Sequence, residues 1–476
     1  MISTPSKRKA LTVRPLKTSQ SVGAVLAFQG LAGAMPLLHG SQGCSAFTKV
    51  FFVRHFREPI PIQTTAMDQT STIMGADDNL MEALGTIASQ SGAGIIGVIA
   101  TGLSATQGCD LNRVIRHFRQ SHPQWDHLPI IPVDAPDFTG SQESGYALAL
   151  EALVEHLLPT RPWSERNTQK RINVLANASL TPGDLDELRD LLAAFGLEAA
   201  FLPDLSDALD GHLDERDFLP VTTGGTPLTF FDSFHEAQAT LVIGRSLLAT
   251  AVRIQTRCRQ MPIWHFDHLM GLDVTDRLVT ELCRLTRTVQ APARVERWRR
   301  QMLDAMLDSH FYLGEKRIAI AGEGDLVTGF HQLFREMGAY TCVAVVPRPL
   351  APLEGLSVTV GDLDDLETLA IRERAELLVG NSQLAETAER LHLPLLRAGF
   401  PIFDRLGGFR QTRIGYRGGR DALFELCNVL LPFRPHGVSP YFSGLRPLLA
   451  PFGAVNDEQR MASIAGSSWS GHSGHG

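Results

Sequence analysis

Arg317-Ile318-Ala319-Ile320-Ala321-Gly322-Glu323-Gly324-Asp325 is the stretch whose reading decides the fold. A short apolar run reads as a strand and ends in a glycine turn. Leu326, Phe330, Leu333, Phe334 and Met337 then recur at helical spacing until Gly338. Tyr340 to Val346 is again a strand. Leu356 to Val360, a helix from Asp362, the strand Glu376 to Val379, and a helix capped at Asn381-Ser382 and ending at His392 repeat the unit. Strand–turn–helix–strand units of this kind set successive strands parallel in one sheet, with helices on its faces.

The same grammar holds upstream. The strand Arg171 to Ala176, a helix opened by Thr181-Pro182 with Asp184 in its first turn, and the strand Leu197 to Leu202 form a second unit. Leu185, Leu188, Leu192 and Phe195 line that helix, and Gly196 ends it. Gly224-Gly225-Thr226 predicts a turn before a helix around Ser233 to Thr250, followed by a strand at Pro262 to Phe266. An Arg-rich helix from Arg294 to His310 then leads to the third unit. The first unit has a helix from Asp77 to Gln90, the fully apolar strand Gly94 to Ala100 and a loop at Thr101-Gly102-Leu103-Ser104. A helix from Asp110 to Phe118 and the strand Leu128 to Val133 complete it. The run Val22 to Leu38 follows a basic leader (Lys7, Arg8, Lys9, Arg14, Lys17). It reads as a buried helix leading to a loop at Cys44, because Gln29, Pro36 and glycines break any spanning segment.

The expected fold class is therefore α/β, with three doubly wound, Rossmann-like domains built on parallel sheets. The expected boundaries are 1–165, 166–310 and 311–440, with a C-terminal extension over 441–476 whose Gly/Ser/His-rich end (Gly466 to Gly476, with His472 and His475) reads as disordered. A chain of 476 residues at about 150 per domain agrees with three domains.

Composition excludes more than it selects. A formal net charge of −7 makes no electrostatic case for nucleic acid, and 44% hydrophobic with 20% charged residues is ordinary for a globular protein with no membrane role. The cysteines at 44, 109, 258, 283, 342 and 427 include no Cys-x-x-Cys pair, so neither a disulfide framework nor a self-contained zinc or four-cysteine cluster site is indicated. A reducing, cytoplasmic compartment follows. The turn at Gly322 to Asp325 fails as a dinucleotide fingerprint. Val327 holds the third glycine position, Glu323 and Asp325 stand where a pyrophosphate would come, and no acidic residue closes the strand near Val346. The two carboxylates read instead as helix-terminus stabilisers. No Walker loop, Gly-x-Ser-x-Gly elbow or His-Glu-x-x-His helix is present.

One thiol stands out. His39-Gly40-Ser41-Gln42-Gly43-Cys44 sets a cysteine after a small-residue run and ahead of the aromatic, basic segment Phe47 to Arg57. Such a thiol is either a ligand for a soft metal or cluster or an inert packing residue. His55, between Arg54 and Phe56, is open to a functional or a structural reading.

These residues, with Arg54-His55-Phe56-Arg57-Glu58-Pro59, resemble the cluster-binding N-terminal region of the nitrogenase component 1 β-type family. Thr101-Gly102-Leu103-Ser104, Thr106-Gln107-Gly108 and Pro136-Asp137-Phe138-Thr139-Gly140 continue the resemblance in order. So do Ala319 to Glu323, Gly399-Phe400-Pro401-Ile402-Phe403-Asp404-Arg405-Leu406-Gly407 and Gly415-Tyr416-Arg417-Gly418. The catalytic β subunit of that family carries three cysteines for its P-cluster. Here the first matches Cys44, while Ile62 and Gly102 stand at the second and third, and Cys109 lies too far along to substitute.

One thiolate does not hold half of an eight-iron cluster, but it can supply the fourth ligand to a [4Fe–4S] cluster whose other three ligands come from a partner. The resemblance thus implies a non-catalytic, assembly-scaffold subunit, with a catalytic nitrogenase-like β subunit as the alternative. Its implied partner is NifE, in a heterotetramer with two of each chain and a [4Fe–4S] cluster shared with NifE through Cys44. The implied cargo is the precursor of the iron-molybdenum cofactor (FeMo-co), held mainly in NifE. NifB, the nitrogenase iron protein and cofactor carriers are implied as transient partners. Asp137 aligns near the cluster position, and an ordinary turn role competes with an iron-directed one.

Overall fold

In the computed structural model, described for residues 12–165, 168–213 and 220–433, the strands form three sheets in which every pairing is parallel. The first region runs α1 (Gln20–Gln29), β1 (Ala34–His39), α2 (Gln42–Phe56), β2 (Gln63–Thr64), α3 (Gln69–Met74) and α4 (Asp77–Gln90). It continues through β3 (Ile95–Ala100), α5 (Gly102–Gln107), α6 (Leu111–Ser121), β4 (Ile130–Asp134) and α7 (Gln142–Leu157). The second holds β5 (Arg171–Leu175), α8 (Pro182–Ala194), β6 (Glu198–Leu202), α9 (Leu205–Ala208), α10 (Thr229–Ser233), β7 (Ala239–Ile243), α11 (Leu248–Arg257), β8 (Ile263–Phe266) and α12 (Leu272–Thr286). After α13 (Ala293–Leu313), the third holds β9 (Arg317–Ala321), α14 (Gly324–Glu336), β10 (Tyr340–Val346), β11 (Val358–Val360) and α15 (Leu363–Arg372). It closes with β12 (Leu377–Gly380), α16 (Ala385–Leu391), β13 (Leu395–Arg397) and α17 (Gly415–Leu430).

The strand orders are β2-β1-β3-β4, β6-β5-β7-β8 and β11-β10-β9-β12-β13. Each sheet starts at an inner strand, winds one way and then the other. The chain therefore reverses direction across the sheet between β1 and β3, β5 and β7, and β9 and β12, and a crevice opens at the carboxyl ends of those strands. One apolar core joins the three sheets, with Phe28, Leu150, Val174, Leu241, Ile320 and Phe330 all inside it. Among the described residues no helix is long and apolar enough to cross a membrane.

The third region and the helices Asp77–Gln90 and Pro182–Ala194 follow the sequence reading, down to capping boxes at Thr181 and Asp362. Four expectations are corrected. Val22 to Leu38 is α1 followed by the strand β1, because Gly33, with φ of 67°, turns the chain so that Ala34–His39 can pair with β3. Cys44 stands in the first turn of α2 rather than in a loop. Thr101-Gly102-Leu103-Ser104 is the capped start of α5. Ser233 to Thr250 contains the fully buried strand β7, whose place between β5 and β8 overrides any helical reading. The sequence reading also missed α7 and α12. Residues 166 and 167 at the start of the expected second domain, Lys7, Arg8, Lys9 and the 441–476 extension with His472 and His475 lie outside the described residues.

Helices α1 and α7 cross in backbone contact. A Cβ on Gly23 would overlap the Gln142 carbonyl oxygen, and one on Gly145 would overlap the Gln20 carbonyl oxygen. Gly23→Ala and Gly145→Ala should each cost about 1–3 kcal/mol or more, read from urea denaturation midpoints, because neither carbonyl can retreat without parting the helices. Gly85→Ala, in α4 with open space around the site, should instead stabilise by about 0.4–1 kcal/mol.

A second joint ties the three sheets. The Glu143 carboxylate in α7 accepts the Asp325 N–H of α14 at 2.8 Å, and the Glu323 carboxylate accepts the Ser141 hydroxyl at the start of α7 at 2.7 Å. Asp325 accepts the Arg245 N–H at 2.9 Å and the Ser246 hydroxyl at 2.5 Å, ahead of α11. Glu323 and Asp325 thus stabilise the starts of neighbouring helices, through side-chain bonds that cross between sheets. Burial raises Glu143 well above the usual carboxylate range, Glu323 to about 7 and Asp325 to about 6. A carboxyl whose pKa is raised on folding stabilises when protonated, and that contribution is lost as pH rises through its folded value. Glu323→Gln keeps the acceptor for Ser141, so its stability relative to wild type should grow between about pH 5 and about pH 8. Parallel pH profiles of the two proteins in urea titrations would contradict this.

Candidate metal centre

The crevice of the first sheet is built by the ends of β1 and β3. Strand β1 ends at His39 and β3 at Ala100, and Thr101 donates to the His39 carbonyl through its hydroxyl at 2.9 Å. Gly40 must lack a side chain, since a Cβ there would press on Thr101 Cγ2 at 2.8 Å. Each strand then enters a helix at once, α2 after Ser41 and α5 after Thr101, so both helix starts open on one crevice.

Cys44 lies in the first turn of α2 and is half-buried, with Sγ 3.5 Å from the Ser41 hydroxyl. Peptide N–H groups at a helix start favour negative charge, and a thiolate is the ligating form. Phe47 and Val50 continue outward from it along α2, at 70% and 50% exposure, and Phe138 is also exposed. The buried side of α2 carries Thr48, Phe52, His55 and Phe56.

The other two positions singled out in the sequence contribute no thiol. Ile62 is buried in the core with Phe52 and Phe56. Gly102 is the first residue of α5, and a Cβ on it would stand 3.4 Å from Asp137 Oδ2, in ordinary contact. Asp137 follows β4 in a turn, and its Oδ1 accepts the hydroxyls of Ser19 and, at 3.1 Å, Ser21 at the start of α1. Cys109 is set apart beside Asp77, and burial with that carboxylate raises its thiol to about 11. Burial likewise raises Cys258 to about 11, and Cys427 is also buried.

His55 takes the structural reading. It is buried on α2, its Nδ1 accepts the Ile402 N–H at 2.9 Å, and burial lowers its pKa to about 4. His39, which sequence reasoning did not single out, is also held neutral at about 4 by burial. Its Nδ1 meets the Thr65 hydroxyl at 3.0 Å, and its Nε2 is buried without a partner among the described residues. Ser19 and Ser21 escaped the sequence reading because nothing local ties them to Asp137, more than a hundred positions away.

Among the described residues no three His, Cys, Asp or Glu side chains are grouped to hold a metal ion. The described residues therefore offer a cluster one half-buried thiol in the first turn of a helix.

The model of the family described as nitrogenase component 1 type oxidoreductase matches residues 19–431. A solved structure, "Nitrogenase Cp1 at pH 6.5", superposes with a TM-score of 0.84 at 28% identity, covering 93% of this chain and 98% of that one. The chain belongs to the nitrogenase component 1 type oxidoreductase family. Within it, the chain is 43% identical over 442 residues to the nitrogenase iron-molybdenum cofactor biosynthesis protein NifN of Klebsiella pneumoniae, across 92% of this chain and 95% of that protein. The NifN of Nostoc sp. is 42% identical over 426 residues, across 89% and 94%. These relatives set it in the NifN branch of the family.

Exposure ranks the thiols. In the folded chain, iodoacetamide should label Cys44 well before Cys258 and Cys427, which should react only after unfolding. Peptide mass spectrometry over a time course reads the order, and equal rates at Cys44 and Cys258 would contradict the placement.

Proposed function

We propose that the chain is a non-catalytic scaffold subunit in the assembly of the nitrogenase iron-molybdenum cofactor. In this reading it pairs with a NifE-type subunit, two of each chain, and Cys44 supplies one ligand to a [4Fe–4S] cluster at their interface. The precursor of the cofactor is the cargo, held mainly by the partner, and no residue of this chain is assigned to it. NifB, the nitrogenase iron protein and cofactor carriers would visit the complex in turn, in the cytoplasm.

The observation that carries the reading is the single thiol in the crevice, with Ile62 packed in the core and Gly102 bare where two further thiols would be needed. Among the described residues no second ligand stands with Cys44, so in this reading another chain supplies the rest, and the exposed Phe47, Val50 and Phe138 provide apolar area for that chain to cover. The names of the relatives supply the biosynthetic role. The cluster, once bound, supplies one-electron chemistry; this chain's part is to present the thiolate from a rigid helix start and to exclude water with its aromatic neighbours.

Anaerobic co-expression with a NifE-type chain should give a co-purifying complex with a [4Fe–4S] electron paramagnetic resonance signal. Cys44→Ala should lower the iron content or alter that signal. An unchanged signal in Cys44→Ala removes the ligand assignment. Reduction of acetylene or dinitrogen at nitrogenase-like rates would favour the catalytic alternative.

A further inference from the structure

Three buried nitrogen-bearing side chains line one cavity inside the protein. Its volume is about 40 Å³, room for about three waters or one small oxyanion. It lies at the carboxyl edge of the third sheet, where Gly322 follows β9 and Asn381 follows β12, the point at which the strand order reverses. Gln142, the first residue of α7, and Arg413, just ahead of α17, line it at 2% and 3% exposure. Neither Gln142 Nε2 nor Arg413 Nε has a partner among the described residues. His55 lines the cavity from α2. Its Nδ1 takes the Ile402 N–H, so the neutral ring carries its proton on Nε2.

The Arg413 charge is poorly matched. Its ion pair with Glu425 is long, at 3.9 Å, and that carboxylate also holds Arg405 and accepts from Gln411. Asp184 is the other nearby carboxylate, and it is engaged by the Arg413 and Ile414 backbone N–H groups at 2.6 and 3.2 Å. Nη2 donates to the Arg397 carbonyl at 2.5 Å and to Gln411, which leaves Nε for a ligand. A buried donor without an acceptor is costly, most of all on a cation. Water offers acceptors but brings two donors of its own to a lining already rich in them. An oxyanion brings acceptors and compensating charge together. Glu323 is the one carboxyl among the lining residues. Burial pushes it up to about 7, so near pH 6 it is mainly uncharged and does not oppose an anion. We propose that this cavity is a binding site for a small oxyanion of formate or nitrate size, held by Arg413, Gln142 and His55.

The test is equilibrium dialysis of the full chain against radiolabelled formate at pH 6, with chloride holding the ionic strength constant. The wild type should bind one formate per chain, displaced by nitrate and not by benzoate, whose ring exceeds the cavity. Gln142→Leu removes one donor at similar volume and should weaken binding about tenfold or more. Arg413→Lys keeps the charge but loses Nε, and should weaken it comparably. Urea midpoints establish that each variant is folded. A wild type that binds no formate overturns the proposal and leaves the cavity to water. Displacement by benzoate overturns it too, as does wild-type affinity in a folded Gln142→Leu or Arg413→Lys. The first two outcomes are read on the wild type alone, so they decide the matter even where neither variant folds.

Discussion

The contact between α1 and α7 is the constraint on which the rest depends. Two glycines, Gly23 and Gly145, let the helices meet backbone to backbone, Gly23 against the Gln142 carbonyl oxygen and Gly145 against that of Gln20. Two features start from that crossing. It brings Ser19 and Ser21 at the head of α1 to Asp137, and it fixes Ser141 and Glu143 at the head of α7 against the third sheet. A packed contact of this kind has little slack, because protein interiors are as dense as molecular crystals.

The three parallel sheets impose a second order. Parallel strands joined by helices put all strand carboxyl ends, and the helix starts that follow them, along one edge of each sheet. Helix starts carry unpaired N–H groups and partial positive charge. In the first sheet that field is left open around Cys44. Between the sheets it is consumed by Glu143, Glu323 and Asp325, each spanning to a neighbouring helix or strand end. One structural rule thus yields a closed joint in one place and an open helix start in another. Side-chain choice decides which.

Much of this architecture was legible in the chain itself. Strands such as Ile95–Ala100 are apolar throughout because both faces are covered, and Leu80, Leu84 and Ile87 mark the inner face of α4. Two of the errors share a cause. Ala239–Ile243 and Ala34–His39 are short apolar segments beside helical ones, and periodicity alone does not separate a buried strand from a buried helix. What settled them was pairing with a neighbour distant in sequence. Glu323 and Asp325 were legible as carboxylates at a helix start, but their partners Ser141 and Ser246 were not.

By itself, then, the sequence determined the α/β class, the three-sheet plan and the one thiol worth attention, because hydrophobic period, turn glycines and helix caps act locally. The family resemblance told which positions lack a thiol. Only the tertiary structure decided that Cys44 sits in a helix turn, that Ile62 is core, and that Asp137 is held over the bare Gly102. Those facts depend on crossings and strand-end neighbours tens to hundreds of residues apart, and no local pattern encodes where such segments meet.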